Sequence, residues 1–405
     1  MTIFDGAIVL IALLLTGITM LPKLRNNLWW RATVTPLASI IGSGFLVIAP
    51  LLASVAGSYA VIAMMMIVAL AYAVGHVIRF NILNAEALET SHNGPTGLSA
   101  FARVSNVSLT VAYVISIAFY IRLLASFALS LTPLAGDFTE DILATIILAG
   151  IGLVGWTRGL KGLEIIETIS VSIKLSIIIA LLVALFAYNL GTGQWTADLP
   201  HADTDSLTRL RMLGGMLLVV QGFETSRYLG AAYPAEMRSR TMLWAQLSSG
   251  VIYLLFVALI VPVLLYLPEG QADETAIIGI SGQVAWVLPI LLVFAALMSQ
   301  LSAGIADTVG AGGLVAEETD RRVSEQLAYP VLIVFSIALI WMFNIFEVIA
   351  IASRTFAFYY MMEAVIAFIV AREVLTGHKR AAHLVWFASL AIILALVVVF
   401  AVPAE

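Results

Sequence analysis

The stretch ASIIGSGFLVIAPLLASVAG, residues 38–57, is long and apolar enough to cross a bilayer as a helix, yet it contains residues that weaken helices. Gly42 and Gly44 flank Ser43 near its start, and Pro50 lies near its middle. Glycine costs roughly 1 kcal/mol relative to alanine inside a helix, and proline removes a backbone donor. In lipid, backbone groups freed in this way need a partner in protein, water or a ligand. The stretch therefore predicts either very close packing on a neighbouring helix or a break that holds something.

The amino-acid composition defines the environment of the chain. Of its 405 residues, 61% are hydrophobic and 11% are charged, against roughly 25% charged in soluble domains. Mean hydropathy is +1.04, which is typical of a polytopic membrane protein. The sequence contains no cysteine, which excludes disulfides, thiolate-bound metals and thiol catalysis. The five histidines show no metal-ligand spacing, and we expect no metal, no cofactor and no nucleic-acid partner.

Apolar runs recur along the whole chain and are separated by short loops. A helix of about 20 residues crosses a bilayer, and the apolar runs lie at 4–22, 36–56, 58–84, 107–133, 141–157, 165–190, 210–230, 241–267, 282–312, 327–344, 346–371 and 382–403. The first run lacks a preceding basic segment and a small-residue cleavage site, so we interpret it as a spanning helix and not as a signal peptide. We predict an all-α polytopic protein with about twelve transmembrane helices in a lipid bilayer.

Positive charges orient the predicted bundle. Of the 20 Lys and Arg residues, 14 lie in or beside one alternate set of loops; they are Lys23, Arg25, Arg31, Arg79, Arg103, Arg158, Lys161, Arg238, Arg240, Arg321, Arg322, Arg372, Lys379 and Arg380. The opposite loops are acidic, apart from Arg209 and Arg211. Cytoplasmic loops are enriched in Lys and Arg. The pattern predicts that both termini lie outside the cytoplasm, and we expect the membrane to be a bacterial inner membrane.

A second interrupted helix corresponds to the first. Gly222 lies between a glutamine and a Phe-Glu-Thr run in the middle of the span 210–230. It follows Gly42 by 180 residues, a separation that fits two repeats of five helices each. Paired interrupted helices in equivalent positions of two halves indicate an inverted-repeat transporter. In such a design, the half-helix N-termini direct unpaired N–H groups at an anionic group of the substrate.

Three motifs resemble those of the amino acid–polyamine–organocation (APC) permeases. In chain order they are Ile41-Gly42-Ser43-Gly44-Phe45 with Pro50 and Ala56-Gly57, then Gly159-Leu160-Lys161 with Lys174, and then Gly222-Phe223-Glu224. The resemblance implies a LeuT-type fold, in which two inverted repeats of five helices form a core and core helices 1 and 6 are discontinuous. It covers residues 36 to about 372.

The resemblance also implies a division of the chain. Residues 1–34 would form an extra N-terminal helix and a loop, 35–192 the first repeat, 193–373 the second, inverted repeat, and 374–405 a C-terminal helix. The family usually adds two helices after the ten-helix core, whereas one precedes and one follows it here. The chain thus resembles a distant branch of the family.

The same resemblance implies a substrate site at the two breaks. Backbone N–H groups around Ser43, Gly44 and Phe45 would bind a substrate carboxylate, and carbonyl groups freed near Gly222 would receive its ammonium. Phe223 would either close over the site as an aromatic gate or pack against lipid or the core. The candidate substrate-binding residues are Ile41, Gly42, Ser43, Gly44, Phe45, Gln221, Gly222, Phe223 and Glu224.

Lys174, Ser302 and Asp307 are the candidate coupling residues. In sodium-coupled proteins of this fold a cation lies between core helices 1 and 8, and in proton-coupled and exchanging members a lysine from core helix 5 occupies that region. The resemblance implies that Lys174 stands in for Na⁺ near the Gly42 carbonyl and exchanges protons during transport. The alternative is a permanently charged structural lysine. Asp307 would be its partner or a competing proton carrier.

Four further ionisable residues lie within predicted spans: Arg122, Arg227, Arg354 and Glu363. Burying such a group at mid-membrane costs at least about 2.5–3.5 kcal/mol, so these residues should pair with one another or line a substrate path. Glu224 and Arg227 are three residues apart, and we expect them to neutralise each other. Arg122 and Arg354 fall outside the family pattern; they would favour an anionic substrate or tether Glu363 and Asp307.

The leading functional hypothesis is a secondary active transporter of an amino acid or related small zwitterion that works by alternating access. It would be independent of sodium and would use a proton or exchange, as a symporter or an antiporter. The alternatives are a carrier of an organic amine, a carboxylate or an inorganic ion, and a transport-inactive, sensor-like homologue. An enzyme is not expected, since the sequence contains no HExxH and no GxSxG motif.

Overall fold

A computed structural model describes residues 2–42, 44–89, 95, 97–130, 132–199, 205–230, 233–267 and 276–402. In these ranges every regular element is a helix. The α-helices are α1 Ile3–Thr19, α2 Pro22–Arg25, α3 Leu28–Ile40, α4 Ile48–Ala56, α5 Ala60–Glu89, α6 Leu98–Leu129, α7 Asp137–Thr192, α8 Ser206–Gly215, α9 Ala235–Ile260, α10 Ala276–Ser281, α11 Leu288–Glu318, α12 Glu325–Met342, α13 Ile345–Val374 and α14 Gly377–Phe400. Short 3₁₀ helices cover Gly57–Tyr59, Met216–Val220, Phe223–Leu229 and Val261–Tyr266.

The described helices account for the twelve predicted spans. Nine segments of the described chain are long and apolar enough to cross a membrane: Ile48–Glu86, Leu98–Leu129, Asp137–Gly159, Ile166–Thr192, Ala235–Tyr266, Leu288–Glu318, Glu325–Met342, Glu347–Val374 and Gly377–Phe400. The shorter α1 and the two interrupted helices supply the others. Two spans merge in α7, where Gly159 has non-helical backbone angles and turns the chain.

Several helix ends differ from the predicted boundaries, and the largest shift at a helix start is in α6. The span expected at 107–133 begins nine residues earlier, at Leu98. Its first turns are polar, but their side chains bind other helices: Arg103 and Asn106 contact Glu318, and Ser105 donates to Glu363. Hydropathy alone misses such turns because it does not register polar groups that are satisfied inside the protein.

The first interrupted helix ends at Ile40 and resumes at Ile48. Gly44 lies in the gap, where a Cβ atom would come within 2.7 Å of the Val219 backbone. Only a residue without a side chain allows this approach. Both alternatives raised by the sequence therefore apply, since the helix is broken and also packs closely.

The second interrupted helix passes from α8 through two 3₁₀ helices. Gly222 separates these two short helices with a φ of 115°, and a Cβ atom there would meet the Ser39 side chain at 2.4 Å. The Tyr253 hydroxyl on α9 contacts the carbonyl oxygens of Ile40 at 2.9 Å and Val219 at 2.8 Å, one on each interrupted helix. The two breaks are thus in direct contact.

The remaining helices surround this pair. Helix α6 packs extensively on α11 and α13, α11 packs on α7, and α9 packs on α3 and α5. The two helices outside the ten-helix core lie at its edge, with α1 against α7 and α14 against α13. The core helices thereby hold the two breaks in the interior of the bundle.

Candidate functional site

Hydroxyl groups bind the backbone at the first break. Ser299 on α11 lies 2.8 Å from the Ile41 carbonyl oxygen and 2.7 Å from that of Gly42, and its hydroxyl donates to them. Phe45 is buried against aromatic rings of α9. Ser43 lies outside the described residues. The carbonyls freed by the break are therefore satisfied by a neighbouring helix, as burial requires.

Lys174 on α7 is fully buried between the first interrupted helix and α11. Its ammonium donates to the Ala38 carbonyl at 2.6 Å and to the Ser302 hydroxyl at 2.9 Å. Ser302 in turn donates to the Ser299 carbonyl at 3.0 Å. The sequence places this contact near Gly42, and the structure places it about one helical turn earlier. The lysine links α3, α7 and α11 beside the first break.

Asp307 is fully buried on α11 but is not paired with Lys174. Its carboxyl accepts a hydrogen bond from the Ser116 hydroxyl on α6. Five residues separate Asp307 from Ser302, which rotates the side chain by roughly 140° around the helix. The expected Lys174–Asp307 partnership is therefore wrong, because the two residues approach the first break from different sides.

Glu224 binds the start of its own helix and does not neutralise Arg227, contrary to the sequence-based expectation. Its Oε2 accepts from the Gly222 N–H at 2.9 Å and from the Tyr360 hydroxyl at 2.8 Å. Arg227 extends to α13 and pairs with Glu363. The free N–H at the helix start draws the shorter carboxylate back towards the break. The longer guanidinium reaches the neighbouring helix instead.

The residues next to Gly222 are also buried. Gln221 donates from its amide nitrogen to the Tyr120 hydroxyl at 2.7 Å. Phe223 is 1% exposed and stacks on Tyr360, with ring centroids 5.4 Å apart. Its lipid-facing alternative is therefore wrong, and it packs in the core at the second break.

Glu363 is the centre of a buried polar network away from the breaks. It accepts from Arg227, from the Ser105 hydroxyl at 2.7 Å and from the Asn81 amide at 2.8 Å. The Arg227 carbonyl accepts from Arg238 at 2.7 Å. This network joins α5, α6, α9 and α13 to the helix that follows the second break.

Arg122 and Arg354 tether neither Glu363 nor Asp307, so that expectation is wrong. The Arg122 guanidinium binds three carboxylates in the first turns of α7, which are those of Asp137, Glu140 and Asp141. Arg354 donates to the Ala401 carbonyl at 2.7 Å and so attaches the end of α14 to α13. Each arginine satisfies the end of a helix, where backbone or acidic groups need a cationic donor.

Sequence reasoning missed the hydroxyl-bearing residues that complete the site. Tyr113, Ser116 and Tyr120 lie on α6, Tyr253 on α9 and Tyr360 on α13. All five are fully buried. The three on α6 are spaced three and four residues apart, which places them on one helical face. This row of polar side chains on one face of an apolar helix is the sequence pattern that could have predicted their place in the site.

Comparison with known proteins identifies the family. A family model described as "APC superfamily transporter" matches residues 22–401. The chain belongs to this superfamily, whose members are transporters and not enzymes. A protein of Aquifex aeolicus (strain VF5), described as uncharacterized, is 46% identical over 355 residues, covering 87% of this chain and 86% of that protein.

A solved structure has the same fold. It is that of Mhp1, a nucleobase-cation-symport-1 family transporter, in a closed conformation with bromovinylhydantoin bound. The TM-score is 0.59 at 13% identity, and the match covers 93% of this chain and 91% of that one. The predicted all-α, LeuT-type fold is confirmed.

Proposed function

We propose that the protein is a secondary active transporter of an amino acid or a related small zwitterion. It works by alternating access, independently of sodium, and couples to a proton or to exchange. Its termini lie outside the cytoplasm of a bacterial inner membrane. Membership of the APC superfamily supports transport on this fold. The observation that carries the proposed sodium independence is the bonding of Lys174 to Ala38 and Ser302.

The Lys174 ammonium uses oxygen ligands that would equally suit a hard metal cation. It is fully buried, and its acceptors are a neutral carbonyl and a neutral hydroxyl. An ionised group at mid-membrane is expensive, and its retention indicates a role in transport. Loss of the ammonium proton would weaken the link between α3 and α11. Protonation would thus be coupled to movement at the first break.

The two breaks supply the proposed substrate contacts. The N–H groups of Gly44 and Phe45 lie before the start of α4, where a helix N-terminus favours a carboxylate. The Gly222 carbonyl accepts from the Thr225 hydroxyl at 2.7 Å, and a substrate ammonium would compete with that donor. Substrate binding would therefore exchange internal hydrogen bonds for bonds to the ligand.

Thermal stabilisation of the purified protein tests this proposal. The panel contains neutral, acidic and basic amino acids, amines and organic acids, each with and without sodium. We expect stabilisation by an amino acid that does not depend on sodium. In proteoliposomes, Lys174→Ala should abolish uptake of that amino acid, whereas Lys379→Ala, which removes an exposed lysine of α14, should not.

Three results would overturn the proposal. Stabilisation that requires sodium would contradict the role given to Lys174. Stabilisation by an organic acid or an inorganic ion alone would indicate another solute on the same fold. Binding without uptake in any gradient would indicate a transport-inactive homologue.

A further inference from the structure

A cavity of about 450 Å³ lies between the helices that precede the first break and the lysine helix α7. Its wall includes the end of α1, the short helix α2, the first turns of α3 and the start of the second span of α7. Of the described residues that line it, none is a candidate substrate-binding or coupling residue. The cavity is therefore separate from the site at the two breaks.

Two arginines of different helices line this cavity, Arg25 on α2 and Arg31 on α3. Both are exposed, and in the described ranges neither guanidinium forms a hydrogen bond or an ion pair. By contrast, Arg122 and Arg227 are each paired with a carboxylate. The guanidinium group presents a fork of N–H donors that matches the oxygen atoms of a phosphate. Two such groups at one cavity favour a phosphate-bearing ligand.

The third charged residue of the lining is Glu167 on α7, which is 8% exposed. Two positive charges and one negative charge leave the cavity with one net positive charge. A ligand with a single negative charge balances it. The carboxylate accepts hydrogen bonds, so the ligand should also carry donors such as hydroxyl groups. A phosphodiester joined to a hydroxyl-bearing group meets both requirements.

The rim of the cavity is apolar and exposed. Ile169 of α7 lines the cavity and is 43% exposed. Leu28 and Trp29 at the start of α3 and Ile18 near the end of α1 are also exposed. Tryptophan is enriched where a membrane meets water, and basic pockets between transmembrane helices bind the head groups of anionic lipids on the cytoplasmic side. A ligand here can therefore place a charged group in the cavity and an apolar chain in the bilayer.

We propose that this cavity binds the head group of an anionic phospholipid of the phosphatidylglycerol class. Arg25 and Arg31 bind the phosphate, and Glu167 accepts a hydrogen bond from a hydroxyl group of the glycerol head. The acyl chains extend past Ile169 into the bilayer. The lipid thereby joins α1 and α2, which precede the ten-helix core, to two helices of that core. This binding does not depend on which solute the protein transports.

A lipid in the cavity would also contact the elements that Lys174 links. Val34 of α3 lines the cavity and lies one helical turn before Ala38, whose carbonyl accepts from Lys174. Ser172 of α7 lines it too and lies two residues before the lysine. A bound head group would therefore stabilise the packing of α3 on α7. An effect of the lipid on the rate of uptake follows, and this step rests on the proposed transport function.

Lipid binding to the purified full chain in neutral detergent tests the site. Phosphatidylglycerol, phosphatidylethanolamine and phosphatidylcholine are titrated separately, and the shift of the unfolding midpoint gives an apparent affinity for each. Phosphatidylglycerol should bind most tightly. In a double variant with Arg25→Gln and Arg31→Gln, its affinity should fall by about 10- to 100-fold, because hydrogen bonds between charged groups are lost. The affinity for phosphatidylcholine should change less, and a cooperative unfolding transition shows that the variant is folded.

The matched control is a double variant with Arg321→Gln and Arg322→Gln. It also removes two exposed arginines, which follow α11 and do not line the cavity. Its affinity for phosphatidylglycerol should match that of the original protein. An equal loss of affinity in the two double variants would mean that the arginines attract anionic lipid without a site, and the proposal would be wrong.

Two further outcomes overturn the lipid site. One is equal stabilisation by phosphatidylglycerol and phosphatidylcholine. The other is stabilisation by soluble glycerol phosphate as strong as that by the lipid, which would assign the cavity to a free phosphate compound.

Uptake into vesicles with and without phosphatidylglycerol tests the effect on transport. The lipid should change the rate in the original protein and in the Arg321/Arg322 control, but not in the Arg25/Arg31 variant. Selective lipid binding with the same rate in all vesicles would contradict that effect alone. Selective lipid binding without uptake in any vesicle would contradict the transport proposal and leave the lipid site standing.

Discussion

Glu224 and Glu363 are both fully buried near the second interrupted helix, but their surroundings differ. Both oxygen atoms of Glu363 accept hydrogen bonds, and one of its donors is the Arg227 guanidinium. Within the described residues, Glu224 has neutral donors on one oxygen and none on the other. Both oxygen atoms of the Glu363 carboxylate are thus hydrogen-bonded within the fold. One oxygen atom of Glu224 has no hydrogen-bond partner among the described residues.

This difference in hydrogen bonding distinguishes a structural role from a ligand-binding role. The charge of the two residues and their burial are the same and cannot distinguish these roles. A buried ion pair with satisfied hydrogen bonds contributes to holding helices in place, because removing one member leaves an uncompensated charge. A buried carboxyl oxygen without a hydrogen-bond partner contributes little to the free energy of unfolding and can bind a ligand. Substitution of the two residues should therefore have opposite effects on stability and on binding.

Glu363→Ala is expected to have the largest effect on stability. It removes the carboxylate that accepts from the Arg227 guanidinium, the Ser105 hydroxyl and the Asn81 amide. Breaking a buried pair in this way lowers the free energy of unfolding by about 3–5 kcal/mol. Thermal unfolding in detergent measures the loss. Glu373→Ala, an exposed change on the same helix, should leave the unfolding midpoint unchanged; equal midpoints for the two variants would disprove the structural role of Glu363.

Gly44→Ala is expected to have the next largest effect, because the added Cβ would overlap Val219 across the contact between the breaks. Overpacking of this kind lowers the free energy of unfolding by about 1–3 kcal/mol, and uptake should fall with it. Both are measured on the same preparation, by thermal unfolding and by proteoliposome uptake.

Gly150→Ala on α7 is the matched control for that change. Within the described chain, no atom outside the local helix backbone lies within 4 Å of the position that a Cβ would take there. Alanine at this position should therefore stabilise the protein by about 0.5–1 kcal/mol. Equal unfolding midpoints for the two glycine variants would contradict the close contact at Gly44.

Glu224→Gln should change stability less than either Glu363→Ala or Gly44→Ala. The amide oxygen can still accept from the Gly222 N–H and the Tyr360 hydroxyl, so we expect a change within about 1 kcal/mol. Binding of the substrate should nevertheless weaken, because Glu224 is a candidate substrate-binding residue at the second break. The unfolding midpoint and the substrate affinity, measured together, distinguish the role of Glu224 from that of Glu363. A loss of several kcal/mol in stability would mean that Glu224 is also part of the structural framework.

The two breaks were predictable because they depend on local signals, and the position of Lys174 beside the first followed from the resemblance to the APC permeases. A polar glycine motif at corresponding positions of two apolar spans indicates paired breaks, and the order of the motifs located the lysine helix. The pairing of Glu224, Arg227, Arg122 and Arg354 was not predictable in the same way. It depends on which faces of distant helices meet, and sequence spacing carries no information about that. Buried tyrosines such as Tyr113 were missed because each resembles an ordinary core residue until its hydroxyl is located.

Arg354→Ala is expected to have the smallest effect and tests whether this exposed arginine has a structural role or a role in transport. It removes two hydrogen bonds to the Ala401 carbonyl, of 3.2 and 2.7 Å, made by an exposed residue at the edge of the bundle. The expected loss of stability is about 0.5–1.5 kcal/mol, and uptake should be unchanged because α14 lies against α13, outside the ten-helix core. Uptake by proteoliposomes and the unfolding midpoint are measured together. A loss of uptake at unchanged stability would place Arg354 on the substrate path and would show that an exposed, well-bonded arginine can act in transport after all.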